Sequence, residues 1–394
     1  MTEVAERLEE LRESGLHRRL RLVEGAQGPR VRLDGRAVLL LCSNDYLGLA
    51  DRAEVRDAAA QAALRWGAGA GASRLISGNM EPHRRLEERL AAFKGYDSAL
   101  LFGSGYLANV GAISALAGRG EVVFSDELNH ASIVDGCRLA GAETFVYRHG
   151  DVEHLAWGLK QGSGRAALIV TDGVFSMDGD VAPLAELASL ARRHGCRLMV
   201  DEAHATGALG PGGRGSVAAA GLSGEVDLVV GTLGKALGSY GAYVCAAAEL
   251  REYLLNTARS FVFSTALPPP VLAAALAAVE LLEAEPQMVR RLNANAAVLR
   301  EGLEAEGLAP GGARSQIVPL EVGDAGVTMA LCERLLERGV FAQGIRPPTV
   351  PPGTSRLRFS VMATHEPAEL RGAARMVGEA ARELEIASRT PLAA

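Results

Sequence analysis

Lys235 stands in Gly231-Thr232-Leu233-Gly234-Lys235-Ala236-Leu237-Gly238, directly after the apolar run Val226-Asp227-Leu228-Val229-Val230. Lysine is ordinarily a solvated surface residue. Here glycines frame it, and the missing side chains would let a planar ligand approach the amine. Desolvation lowers the pKa of a lysine and makes it a nucleophile toward carbonyl groups, the chemistry of a Schiff base. Asp201 ends another apolar run, Arg197-Leu198-Met199-Val200, and His204 follows three residues later. A carboxylate in that place can hold a protonated pyridine nitrogen and turn the ring into an electron sink. The competing role is a strand-end aspartate that caps the next helix. His204 could hydrogen-bond the phenolic oxygen of such a ring, or Asp201 itself.

Polar residues follow other apolar runs in the same way. Gly103-Ser104-Gly105-Tyr106-Leu107-Ala108-Asn109 comes after Ala99-Leu100-Leu101-Phe102 and before a helical segment. Backbone N–H groups at a helix start bind phosphate, and small residues let it approach; a tight strand-to-helix turn with Tyr106 in the core is the plainer alternative. His130, in Asp126-Glu127-Leu128-Asn129-His130-Ala131-Ser132, offers a flat imidazole to stack on a ring, or is an ordinary loop histidine. Ser176, in Val174-Phe175-Ser176-Met177-Asp178-Gly179-Asp180, offers a hydroxyl to a ring oxygen, or is a turn serine. Asp178 and Asp180 resemble a metal loop, but the spacing lacks a full ligand set, so no metal is expected. Arg346, Thr349, Arg356 and Arg358 share one segment near the C-terminus. An arginine fork binds a carboxylate in bidentate fashion, and on a strand Arg356 and Arg358 project to one face. Solvated charges on an edge strand would leave the same pattern.

Short apolar runs alternating with helical stretches would position these groups. Runs at 99–102, 121–124, 167–170, 197–200 and 228–230 are apolar throughout, as strands covered on both faces of a parallel α/β sheet require. Leu184 to His194 has helical spacing. Ligands in such folds collect at the carboxyl ends of the strands, so the polar residues after each run point at one shared site. Val271 to Leu282 reads as a buried helix too short to span a membrane. Residues from about 290 onward read as a smaller α/β domain, with strands near 316–320 and 357–361. Met1 to Leu20 is charged and helix-patterned and lacks the apolar core of a signal peptide. The 394 residues are 48% hydrophobic and 22% charged with a net charge of −6, which fits a globular protein and speaks against nucleic acid as a partner. The five cysteines are scattered and without CxxC spacing, as in a reducing cytoplasm.

Together these segments resemble the α-oxoamine synthases, pyridoxal-phosphate enzymes of fold type I. The resemblance covers essentially the whole chain. It is carried by Cys42-Ser43-Asn44-Asp45-Tyr46-Leu47-Gly48-Leu49, the Ser176 segment, Asp201-Glu202-Ala203-His204-Ala205-Thr206-Gly207 and the lysine block. Phe263-Ser264-Thr265-Ala266-Leu267-Pro268-Pro269 and Ile345-Arg346-Pro347-Pro348-Thr349-Val350-Pro351 point to the subgroup that condenses L-alanine with a pimeloyl thioester in biotin synthesis.

The resemblance implies an N-terminal segment over 1–50, a large domain over 51–288 with a mostly parallel sheet between helices, and a small α/β domain over 289–394. It implies that Lys235 holds the cofactor and acts as acid and base. Asp201 would pair with the pyridine nitrogen, His130 would stack on the ring and help polarise the thioester, and Ser176 and His204 would contact the ring oxygen. Gly105 and Tyr106 would lie against the cofactor, with Thr232 near its phosphate. Thr265 would reach the phosphate in the partner subunit of a homodimer. Asn44 would contact substrate, Arg358 would hold the amino-acid carboxylate, and Arg346, Thr349 and an N-terminal arginine, Arg18 by preference, would line the acyl side. The acyl carrier, coenzyme A or an acyl carrier protein, stays open. So do three alternatives: a glycine-using sister synthase, an aminotransferase, and a non-catalytic subunit of the same fold.

Overall fold

The computed structural model describes residues 3–311 and 315–386. They fall into two compact units, residues 44–176 with 180–290, and residues up to 43 with 177–179 and those from 291 onward.

The smaller unit begins with a helix over Glu3–Glu13. This is shorter than the pattern through Leu20 suggests. Gly15 takes a left-handed φ of 67°, and Leu16 N–H closes back on Leu11 O at 2.8 Å, a glycine-ended helix terminus. Strands β1 (Val23–Glu24), β2 (Arg30–Leu33) and β3 (Arg36–Leu40) follow. β2 and β3 form an antiparallel hairpin around Asp34-Gly35, both at positive φ, as a two-residue turn between twisted strands demands.

The larger unit carries β4 (Ser98–Phe102), β5 (Val122–Asp126), β6 (Glu143–Tyr147), β7 (Ala166–Asp172), β8 (Arg197–Asp201), β9 (Leu228–Thr232) and β10 (Ala242–Ala246). They form one sheet in the order β4-β10-β9-β8-β7-β5-β6. β10 runs antiparallel to both neighbours; the pairs from β9 through β6 are parallel. All five apolar runs read from the sequence are strands of this sheet. The helices Gly105–Leu116 and Ala131–Ala140 share an apolar core with Leu100, Val123, Val170, Met199, Val230 and Val244. Pro269–Ala284 is a helix packed on those at Ala53–Trp66 and Glu81–Lys94. No helix among the described residues is long and apolar enough to cross a membrane.

Beyond Asp201 the chain is fixed by charge. Glu202 is fully buried and accepts bonds from Lys94, from Ser216 Oγ at 2.9 Å and from Val217 N–H at 2.6 Å. A buried pair satisfied this completely is costly to break from either side, and it locks the start of the turn that carries His204.

The smaller unit resumes with β11 (Ile317–Gly323), β12 (Val340–Phe341), β13 (Gln343–Ile345) and β14 (Ser355–Ser360). β11, β14 and β13 form an antiparallel sheet with β14 central, while β12 adds in parallel to β3. Arg356 and Arg358 are therefore on a buried central strand, not on an edge. Arg356 pairs with Asp178. Gly179 has φ 73°, and a Cβ there would sit 2.8 Å from Ile317 O, so only glycine lets this segment pack so closely on β11.

Candidate active site

Gly105, Tyr106, His130, Ser176, Asp201, His204, Thr232 and Lys235 all line one cavity of about 160 Å³ in the larger unit, joined by Asn109, Ser132, Asp172 and Ala203. Each comes from the carboxyl end of a strand or the helix start just after it: β4 for Gly105, β5 for His130, β7 for Ser176, β8 for Asp201, β9 for Lys235. The parallel sheet thus gathers residues spread over 130 positions of chain, as such sheets do.

The floor of the cavity is acidic. Asp172 and Asp201 end neighbouring strands in direct register, and both are buried. Asp201 accepts from Asn109 Nδ2 at 2.6 Å and from Ala203 N–H at 2.8 Å. Asp172 accepts from His130 N–H at 3.0 Å. Burial, and then the charge of Asp201, push the Asp172 carboxyl well above its ordinary range. Asn109 also donates to Ser132 Oγ at 2.8 Å, whose backbone N–H donates to His130 Nδ1 at 3.2 Å. The His130 ring opens toward solvent, yet the surrounding protein, and then Lys235, lower its pKa. The charge of Asp201 opposes this lowering, and because Nδ1 accepts from Ser132 N–H, the proton of the neutral ring is on Nε2.

Lys235 is half-buried, and its Nζ lies 2.9 Å from His204 Nε2. The other ring nitrogen, Nδ1, lies 2.6 Å from Tyr46 Oη, which is 3.1 Å from Asn44 Oδ1. Asn44 thus connects to the lysine through two residues. The glycines around Lys235 do not chiefly clear a path for a ligand. A Cβ at Gly231 would strike the Tyr243 ring, and one at Gly238 would strike Leu49 and Ala50. Both make room for the protein's own packing. Gly234 alone meets nothing closer than 3.5 Å.

Ser176 is on the hairpin closed by the Val174–Val181 bridge. His149 grips its return arm, with Nε2 2.7 Å from Asp180 Oδ2 and Nδ1 3.0 Å from Asp126 Oδ1. Phe175 packs edge-on at 4.4 Å. Burial alone would lower the His149 pKa, but the two carboxylates outweigh it and push it up to about 10 from 6.5. A histidine raised in this way stabilises the fold fully below its unfolded pKa, and the contribution fades as pH rises through the folded value. The melting-temperature gap between the wild-type protein and His149→Gln is therefore expected to be largest below about pH 6.5 and to shrink toward pH 10. A gap that widens with pH would contradict this assignment.

Three residues expected on the acyl side meet in the smaller unit. Arg18, Arg346 and Thr349 line a cavity of about 660 Å³. Arg346 Nη2 donates to His17 O at 3.1 Å, while its Nε is buried with no partner among the described residues. The basic cluster is partly neutralised, since Arg21 pairs with Glu333 at 2.6 Å and Arg19 stands 3.9 Å from it. Arg358, also in this unit, is buried and donates to Ser360 Oγ at 2.8 Å. Thr265 does not line the Lys235 cavity. It is exposed beside a separate small cavity with Arg74, His83 and Gly103.

The Lys235 cavity suits a cationic heteroaromatic ring bearing a phosphate. Two buried carboxylates on its floor call for a cation, Asn109 Oδ1 is buried without a partner among the described residues, and a Cβ at Gly105 would project into open space. Ser104 caps the helix by accepting from Leu107 N–H, leaving first-turn N–H groups for an anion. Sequence reasoning overlooked Asp172, Asn109, Ser132 and Tyr46. Asp172 had a signal, since it ends an apolar run as Asp201 does. Asn109 lies one helical turn past Gly105. Nothing local marked Ser132 or Tyr46.

Residues 36–377 match the family of aminotransferases of class I and II. The chain is 54% identical over 390 residues to an 8-amino-7-oxononanoate synthase of Citrifermentans bemidjiense, covering 98% of this chain and all of the relative. It is 57% identical over 370 residues to one of Geobacter metallireducens, covering 93% and 94%. Among solved structures, a serine palmitoyltransferase from S. paucimobilis superposes with a TM-score of 0.93 at 35% identity over 98% of both chains. An 8-amino-7-oxononanoate synthase from Francisella tularensis gives 0.76 at 29% identity over 89% of this chain and 99% of that one. With the strand-end site and full-length likeness in agreement, the chain belongs to the class I and II aminotransferase family and, within it, to the 8-amino-7-oxononanoate synthases.

Proposed function

We propose that this chain uses pyridoxal phosphate to condense L-alanine with a pimeloyl thioester, releasing carbon dioxide and the thiol carrier and yielding 8-amino-7-oxononanoate for biotin synthesis. The observation that carries this reading is the meeting of Lys235, Asp201, His204, His130 and Ser176 in one cavity, in a chain more than half identical to synthases of that name.

When bound, pyridoxal phosphate supplies an electron sink for charge left at the amino-acid α-carbon. The residues of this chain do the rest. Lys235 would hold the cofactor through its amine, and that amine would take the α-proton of alanine and later return a proton to the product. Asp201, beside Asp172 and oriented by Asn109, would hold the ring nitrogen in its protonated form. His130 would lie against the ring, and its Nε2–H would be the donor for the thioester carbonyl. Ser176 and His204 would hold the ring oxygen, while Gly105, Tyr106 and Thr232 would cradle the cofactor and its phosphate. Arg358 binds the alanine carboxylate and Asn44 contacts the substrate near the reacting carbon. Arg18, Arg346 and Thr349 take the acyl chain and its carrier; the unpaired Arg346 Nε suits an anionic group. Thr265 would reach the phosphate held by a second copy of the chain, which makes the working unit a homodimer.

A rate panel tests the reading. Alanine with pimeloyl-CoA or pimeloyl carrier protein is expected to turn over far faster than glycine with acetyl- or succinyl-CoA. A preference for glycine with acetyl-CoA would move the chain to the sister synthases.

A further inference from the structure

We propose that His149 is a positioning residue that ties the turn carrying His130 to the hairpin carrying Ser176, so that both side chains meet one ligand in a fixed relation. The inference rests on the proposed function only for what His130 and Ser176 do there. The edge strand β6 supplies no residue to the Lys235 cavity. His149 follows its carboxyl end by two positions and reaches the two neighbouring loops instead.

On one side stands Asp126, the last residue of β5 and the start of the His130 turn. Its Oδ1 is 3.0 Å from His149 Nδ1 and accepts from Leu128 N–H at 2.9 Å, and its Oδ2 accepts from Gly150 N–H at 2.9 Å. His149 N–H donates to Glu127 Oε1 at 2.9 Å. On the other side stands Asp180, whose Oδ2 is 2.7 Å from His149 Nε2 and whose Oδ1 is buried with no partner among the described residues. Asp180 O accepts from Phe175 N–H at 3.0 Å, and the Phe175 ring meets the imidazole edge-on. One ring thus holds both arms of the hairpin rung next to Ser176.

Both ring nitrogens face carboxylate oxygens, and a neutral imidazole has one N–H. A neutral ring would set a lone pair against one carboxylate, so the tie needs the imidazolium, which donates twice through charge-assisted bonds. The charged groups facing His149 are Asp126, Asp180 and, at its backbone, Glu127; Arg148 turns to Asp151 at 2.6 Å. Burial opposes the charge and the two carboxylates overcome it, leaving a pKa of about 10. Glutamine at this position can donate to one carboxylate but turns its own oxygen on the other, and the cation between them is gone.

The test is amide exchange in the holoenzyme near pH 7 without substrate, for the wild type, His149→Gln and His149→Lys. Leu128 N–H and Phe175 N–H report the two loops; Ala203 N–H, bonded to Asp201 Oδ1, is the control. In His149→Gln both reporters are expected to exchange about tenfold faster, with Ala203 unchanged. His149→Lys returns a cation between the carboxylates and is expected to recover most of that protection. Should His149→Gln fail to fold, Asp180→Asn cuts the tie from the hairpin side with little change of shape and is expected to loosen both reporters. In His149→Gln, kcat per bound cofactor is expected to fall about tenfold with KM for alanine little changed; a purely structural role would lower the yield of folded enzyme and leave that kcat alone. Faster exchange at only one reporter or at neither, or an unchanged kcat per bound cofactor, would overturn the proposal. Exchange is read without substrate, so a preference for glycine in the rate panel would leave that result standing.

Discussion

Lys235→Ala is expected to lower turnover by about 10⁴-fold or more, because on the proposed function it removes both the nucleophile that would tether the cofactor and the positioned base. The visible absorbance of the bound cofactor should disappear with it. No other lysine can substitute. The chain has three lysines, Lys94, Lys160 and Lys235; Lys94 is committed to the buried pair with Glu202, and Lys160 is exposed near the end of the helix Val152–Gln161. Stopped turnover with an unchanged fold by circular dichroism would match this account. Turnover within tenfold of the wild type would contradict it.

Asp201→Asn is expected to reduce kcat by roughly 10³-fold, equivalent to about 4 kcal/mol of lost transition-state stabilisation. The substitution is nearly isosteric, and an amide oxygen can still accept from Asn109 or Ala203. What it removes is the charge proposed to keep the ring nitrogen protonated. Asp172 should soften the loss. Its pKa is raised by burial and then by Asp201, so neutralising Asp201 lets Asp172 ionise more readily. The Asp172→Asn variant alone is therefore expected to cost much less than Asp201→Asn, while the double variant should fall below the product of the two effects. Steady-state kinetics on the three proteins checks this; equal losses for the two single variants would show that the acidic floor acts as one unit with no assigned partner.

What the sequence made legible was a matter of strand ends. Buried parallel strands must be apolar on both faces, so each betrays itself, and most of the residues that line the cavity stand at a strand's end or within four positions after it. Asp201, Ser176, His130 and Lys235 were found that way. β10 and β6 were not singled out. β10 is as buried as its neighbours, but its run Ala242-Tyr243-Val244-Cys245-Ala246 is diluted by two alanines, and β6 at the sheet edge keeps polar, exposed positions. Residues that act through others escaped for a different reason. Tyr46 and Ser132 make their contacts across 158 positions and through a neighbouring helix turn, and no local pattern encodes such a partner. The glycine frame misled in detail, because Gly231 and Gly238 exist for Tyr243 and for the Leu49–Ala50 turn. The arginine pair was correctly placed on a strand, but its setting as the centre of a three-stranded sheet, with Arg356 already paired to Asp178, comes from β11 and β13, whose nearest pairings with β14, Gly323 with Ser355 and Ile345 with Arg356, span 32 and 11 positions.

The central claim is that Lys235 is the amine that holds the cofactor. Reduction of the holoenzyme with borohydride, followed by digestion and peptide mass measurement, tests it without any assumption about substrate. The peptide containing Lys235 is expected to carry the phosphopyridoxyl mass in near-stoichiometric amount. The same mass on Lys94 or Lys160, or its absence from all three lysines, would contradict the account.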